Sequence, residues 1–168
     1  MPWKLLSVLV ILLATGALAS AEQPLSNPTG RVVLVIEGDV SNKNGATGAS
    51  FDMAMLKRLT SHTIKTETPW TEGTQTFEGP LMIDLLKAAG ATGTTIRAVA
   101  INDYAVNIPI LDFEKYPAIL AHTLNGKAML VRGKGPLWII YPWSDSAEIR
   151  NETYYAKSIW QVKMLVVK

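Results

Sequence analysis

The 168-residue sequence predicts a single mixed α+β domain of roughly seven or eight strands with two or three short helices. Short β-branched apolar runs recur along the chain, each broken by turn-forming residues, which is the pattern of strands. Apolar residues at helical spacing occur in only a few brief segments. With 48% hydrophobic residues and no cysteine, the fold must rest on its core and not on disulfides or thiolate-bound metals.

In chain order, Met1 to Lys4 supplies one positive charge, Leu5 to Leu13 is apolar, and "ATGALASAEQ" ends in small residues. This is the layout of a cleavable signal peptide over 1–21, cut after Ala21, and it predicts a periplasmic or secreted protein. An uncleaved anchor is the rival, because the apolar stretch is just long enough to span. Nothing later in the sequence has that length and apolarity, so the mature chain is expected not to span a membrane. A polar leader follows at 22–30, and the domain proper occupies 31–168.

"RVVLVIEG" reads as the first strand and "DVSNKNGATGAS" as a loop. Ser50 stands where an N-cap belongs, ahead of Phe51, Met55, Leu56 and Leu59 at helical spacing. "HTIKTETPW" is a strand closed by Pro69. In "EGPLMIDLLKAAGA" Pro80 falls just inside the start of a helix and Gly90 just past its end. Beyond Gly93 strands dominate: "TTIRAVAI" and "YAVNIPI" flank an Asn102-Asp103 turn, and "LDFEKYP" is a brief helix or turn. "ILAHTL" and "KAMLV" form a hairpin about Asn125-Gly126. "PLWIIYP" and "SIWQVKMLVV" are strands, separated by "SDSAEIRNET", a polar loop or short helix.

A net charge of +2, without a basic block, gives no reason to expect nucleic-acid binding. His62 and His122 are the only histidines, sixty positions apart, too few and too scattered for a metal site. No G-x-S-x-G, dinucleotide or Walker motif is present. Asn102, Asp103 and Tyr104 form a polar turn between apolar strands. Arg132 and Lys134 flank Gly133 next to Gly135, where backbone amides and two cations can approach an anion. Trp138, Tyr141, Trp143 and Trp160 are first of all core candidates.

Taken in order, "FEGPLMIDLLKAAGA", "IRAVAINDYAVNIPILDFE", "ILAHTLNGKAM", "GKGPLWIIYPW" and "SIWQVKMLVV" resemble the molybdopterin-binding oxidoreductase domain of the sulfite-oxidase type. The likeness runs from Arg31 to Val167. It implies that fold, a mixed domain with layered β-sheets, together with an exported setting and a cleft for a molybdenum-carrying pterin. It also implies a cysteine thiolate on molybdenum, in a position that falls here within Lys65 to Pro69, at or beside Glu67. This chain has no cysteine, and a threonine or glutamate oxygen does not replace a soft thiolate. Asp103 is followed by Tyr104 where the family carries glycine, and Trp138 stands where it often carries arginine. Together these departures argue against standard oxygen-atom transfer at molybdenum.

Three readings remain open on the sequence. The chain holds a molybdopterin cofactor without the thiolate, in which case Glu67, Thr68, Asn102, Asp103, Tyr104, Arg132 and Lys134 line its cleft. Or the fold is an exported module without a cofactor, which binds a small ligand, senses it, or docks a protein partner. Or it is an enzyme of another class, using Asp103, Tyr104, Glu67 or His62.

Overall fold

A computed structural model describes residues 24–168, so the expected signal peptide and the first two residues of the leader lie outside the described residues. Three sheets make up the domain. The largest has the order β2-β1-β11-β5-β6, from β1 (Val32–Gly38), β2 (Gly48–Asp52), β5 (Thr95–Ala100), β6 (Ala105–Pro109) and β11 (Val162–Val167). Only β1 and β11 run parallel. A second sheet is β3-β4-β8-β9, from β3 (Ser61–Thr66), β4 (Gln75–Pro80), β8 (Thr123–Leu124) and β9 (Lys127–Ala128). The third pairs β7 (Ile119–Ala121) with β10 (Trp138–Ile140). The helices are α1 (Met53–Arg58), α2 (Met82–Ala88), α3 (Leu111–Lys115) and α4 (Glu152–Lys157). This is the α+β architecture that the sequence predicts.

Alternation decides which strand residues enter the core. In β1, Leu34 and Ile36 are buried; in β5, Ile96, Ala98 and Ala100. A register shift between Val162 and Met164 breaks that alternation in β11, where Val162, Leu165 and Val167 are buried. Met82, Leu85 and Leu86 of α2 and Met55 and Leu56 of α1 join the same core. Leu137 through Tyr141 are wholly buried and Trp143 nearly so, hence the aromatic run around β10 is core strand. The second and third sheets meet at β4. His122 N–H donates to Glu78 O at 2.9 Å, and a Cβ at Gly79 would lie 2.0 Å from Leu120 O, so only glycine permits the approach.

Several boundaries differ from the sequence reading. Ser50 is not the N-cap of α1: it lies in β2 opposite Val35, and Asn44 Oδ1 accepts from its N–H at 2.7 Å. Asp52 takes the cap instead, its Oδ1 accepting from Met55 N–H at 2.8 Å while Oδ2 accepts from Thr29 and Gly30 N–H. These donors, Met55 first, hold its carboxyl below the usual range. Phe51 accordingly packs from a strand. Pro80 is the last residue of β4 and not the first of α2, and Ala118 O accepts from Met82 N–H at 2.9 Å where no capping side chain does. Gly90 does follow the end of α2, with φ +64°. The Asn125-Gly126 hairpin forms with both residues at positive φ, but it is short, and β7 pairs with β10 instead. The polar segment after Trp143 becomes a 3₁₀ turn (Ala147–Ile149) and α4, whose N-cap Asn151 accepts from Thr153 and Tyr154 N–H.

Candidate functional site

The loop after β3 carries two threonines, Thr68 and Thr71, on either side of Trp70. Thr68 Oγ1 accepts from Trp70 N–H at 3.1 Å and lies 2.8 Å from Thr71 Oγ1. That local turn fixes the backbone from which Trp70 projects. Across from it, Asn102 Oδ1 accepts from Tyr104 N–H at 3.2 Å, and Asp103 sits between them at φ +66°. On α4, Glu152, Tyr155 and Ala156 fall at i, i+3 and i+4 and so share a face. These three segments, with Ala100 and Ser158 to Trp160, enclose a cleft of about 390 Å³.

Aromatic rings dominate its walls. Trp70 lies 5.5 Å from Trp160 at 71° and 6.0 Å from Tyr155 at 79°. Behind Trp70, Trp138 and Trp143 are within 5.8 and 6.0 Å, so the wall continues into the buried cluster. Tyr104 is half exposed at the rim. The titratable groups lining the cleft are Tyr104, Tyr155 and Glu152. Ser158 also lines it, but its Oγ donates to Ile139 O at 2.5 Å and accepts from Trp138 Nε1 at 3.1 Å. Both sides of that hydroxyl are thus engaged by the fold's own groups.

The residues singled out from the sequence separate into five places. Asn102 and Tyr104 line the cleft. Thr68 is buried beside it and shapes the Trp70 turn. Asp103 turns to solvent, 2.6 Å from Lys163 Nζ. Glu67 is exposed, its N–H donating to Ser144 Oγ at 3.1 Å. Arg132 and Lys134 line a second hollow of about 450 Å³ with Thr71, Leu124, Met129 and Trp138. There the Lys134 ammonium lies 4.5 Å from the Trp160 ring centre and 5.7 Å from that of Trp138. The polar turn and the two cations therefore do not share one lining.

Trp70, Glu152, Tyr155 and the lining role of Trp160 were not identified as site features from sequence. The helical spacing of Glu152, Tyr155 and Ala156 after Asn151 is the one local signal that points to them. His62 Nε2 lies 4.0 Å from Asp84 Oδ2, while the His122 ring meets Thr123 Oγ1 at 2.8 Å. Among the described residues no three His, Asp or Glu side chains cluster to hold a metal ion. None of the described helices is long and apolar enough to cross a membrane.

The interval Lys65 to Pro69 tests whether the site suits a molybdenum centre. Thr66 is its wholly buried residue, and its Oγ1 accepts from Ser144 N–H at 2.9 Å and donates to Glu67 O at 3.2 Å. An engaged hydroxyl is there and no sulfur, so the residues present do not fit a molybdenum–thiolate centre.

No protein-family profile matches the chain, and no curated protein does. Among solved structures it is similar to the sulfane dehydrogenase SoxCD from Paracoccus pantotrophus, with a TM-score of 0.58 and 20% sequence identity. The likeness covers 80% of this chain but 37% of the SoxCD chain. The chain thus shares the fold of part of SoxCD, in line with the α+β architecture described above.

Proposed function

We propose that this protein is an exported small-ligand-binding module on a sulfite-oxidase-type fold. It binds its ligand in the cleft of Trp70, Tyr104, Tyr155 and Trp160 and does not carry out oxygen-atom transfer at molybdenum. The observation that carries this reading is the pairing of an open, ring-lined cleft with a buried, fully engaged Thr66 in the interval where the resemblance calls for a thiolate. Ligand sites of this size are mostly apolar with a few placed polar groups, here Asn102 and Glu152. A second reading is favoured by Arg132 and Lys134 on a common hollow beside Trp138: these cations suit a phosphate, such as that of a pterin.

One preparation of the full chain from an exporting host separates the two. Molybdenum and oxidised pterin are assayed, and p-cresol is titrated into the ¹⁵N-labelled protein. The expected result is no stoichiometric metal or pterin, with saturable shifts of the Trp70 and Trp160 indole N–H resonances that weaken in Tyr104→Ala. One pterin per chain, or p-cresol shifts that spare both tryptophans, would overturn the binding-module reading.

A further inference from the structure

We infer that the aromatic cleft takes a methylated ammonium cation, of the trimethylammonium class. This rests on the binding-module reading and names its ligand class. Trp70 stands nearly perpendicular to both Trp160 and Tyr155, at 71° and 79°, with ring centres 5.5 and 6.0 Å away. Three rings meeting at such angles around a hollow make the walls of a box, and Tyr104 adds a fourth ring at its mouth. A soft, weakly hydrated cation is attracted by the ring quadrupoles in such a box, whereas a neutral guest gains only apolar contact.

Charge points the same way. Glu152 lines the cleft, and no lysine, arginine or histidine does. Its carboxylate takes part in none of the ion pairs among the described residues. An anionic ligand is repelled by that carboxylate and meets no cation in the lining. A primary ammonium is strongly hydrated and loses more on entering an aromatic box than a methylated one does. The Lys134 ammonium, which does not line the cleft, lies 4.5 Å from the Trp160 ring centre, so the pull on a bound cation falls chiefly to Trp70, Tyr155, Tyr104 and Glu152. A volume of about 390 Å³ holds a small trimethylammonium compound with its polar tail toward Asn102 and solvent.

Choline and its neutral isostere 3,3-dimethylbutan-1-ol differ in charge but hardly in shape. Each is titrated into the ¹⁵N-labelled full chain, following the indole N–H resonances of Trp70 and Trp160. Choline is expected to saturate both, with the isostere at least roughly tenfold weaker. Glu152→Gln should cost choline about two- to fivefold and leave the isostere unchanged. Tyr104→Ala should also weaken choline, and both replaced residues are exposed, so neither change threatens the fold. Equal affinity for the two probes overturns the cation assignment but leaves a neutral-ligand cleft standing. If choline, the isostere and p-cresol all leave Trp70 and Trp160 unmoved, the cation assignment falls together with the binding-module reading.

Discussion

Thr66 and Ser144, 78 positions apart, hold each other through their hydroxyls: Oγ1 and Oγ are 3.1 Å apart, and Ser144 N–H donates to the same Oγ1 at 2.9 Å. The contact ties the end of β3 to the turn that follows Trp143. It also fixes the backbone of Glu67, whose N–H donates to Ser144 Oγ.

Removing the buried partner should therefore matter more than removing the exposed one. Thr66→Val leaves Ser144 N–H without its acceptor and is expected to destabilise by about 1–3 kcal/mol, read from urea unfolding. Ser144→Ala leaves groups that water reaches and should cost less than about 1 kcal/mol. The double variant should cost less than the sum of the two. A neutral Thr66→Val would mean that this contact does not secure the loop ahead of the cleft.

How much of this was legible depends on what each segment answers to. Strands β1, β5, β6 and β11 were readable because one buried face imposes alternation or a β-branched run. The Asn125-Gly126 turn was readable because both positions need positive φ. Strands β2 and β4 were not, because "GASFD" and "QTFEGP" carry glycine or proline and owe their extended form to partners distant in sequence. The cleft followed the same logic. Asn102 and Tyr104, which line the cleft, stand out in the sequence through their turn, but Trp70 and Trp160 are ninety positions apart, and no spacing rule joins them. Glu67 stands out only by resemblance and Arg132 and Lys134 by their glycine-flanked cations, and the chain turns Glu67 outward and the two cations into the second hollow.

His122 gives a pH prediction with a definite sign. Its ring is buried, with Nδ1 on Thr123 Oγ1 and Nε2 without a partner among the described residues. Burial first, and then the Lys57 charge, push its pKa below the ordinary 6.5. The unfolded chain therefore takes up the proton more readily than the folded one. The neutral ring's contribution is fully present above pH 6.5 and is lost as pH falls through the depressed folded value. A ¹³Cε1 titration should place the His122 midpoint below 6.5, and the stability lost between pH 7 and pH 5 should shrink in His122→Phe. A midpoint at or above 6.5 would show that the ring is solvated.

Lys157 and Asp112 decide where α4 sits. Their ammonium and carboxylate meet at 2.5 Å with only 14% and 15% of the side chains exposed, and Lys157 Nζ also lies 4.4 Å from the Tyr154 ring centre. This pair clamps the C-terminus of α4 to α3, while the same helix presents Glu152 and Tyr155 to the cleft. Asp112→Asn leaves a largely buried cation without its counter-charge and should destabilise by about 2–3 kcal/mol. Choline or p-cresol affinity should fall with it, because the Tyr155 wall is no longer held against Trp70. The paired replacement Asp112→Leu with Lys157→Met removes both charges and should recover much of the stability, since no charge is then stranded. Tyr154 supplies a local reporter. Burial, and after it the Asp112 carboxylate, push its phenol up to about 12, so Asp112→Asn should let it titrate at lower pH in an ultraviolet absorbance titration. If Asp112→Asn matches the parent in stability and in Tyr154 titration, the ion pair does not anchor α4, and the cleft wall must be held by ring packing alone.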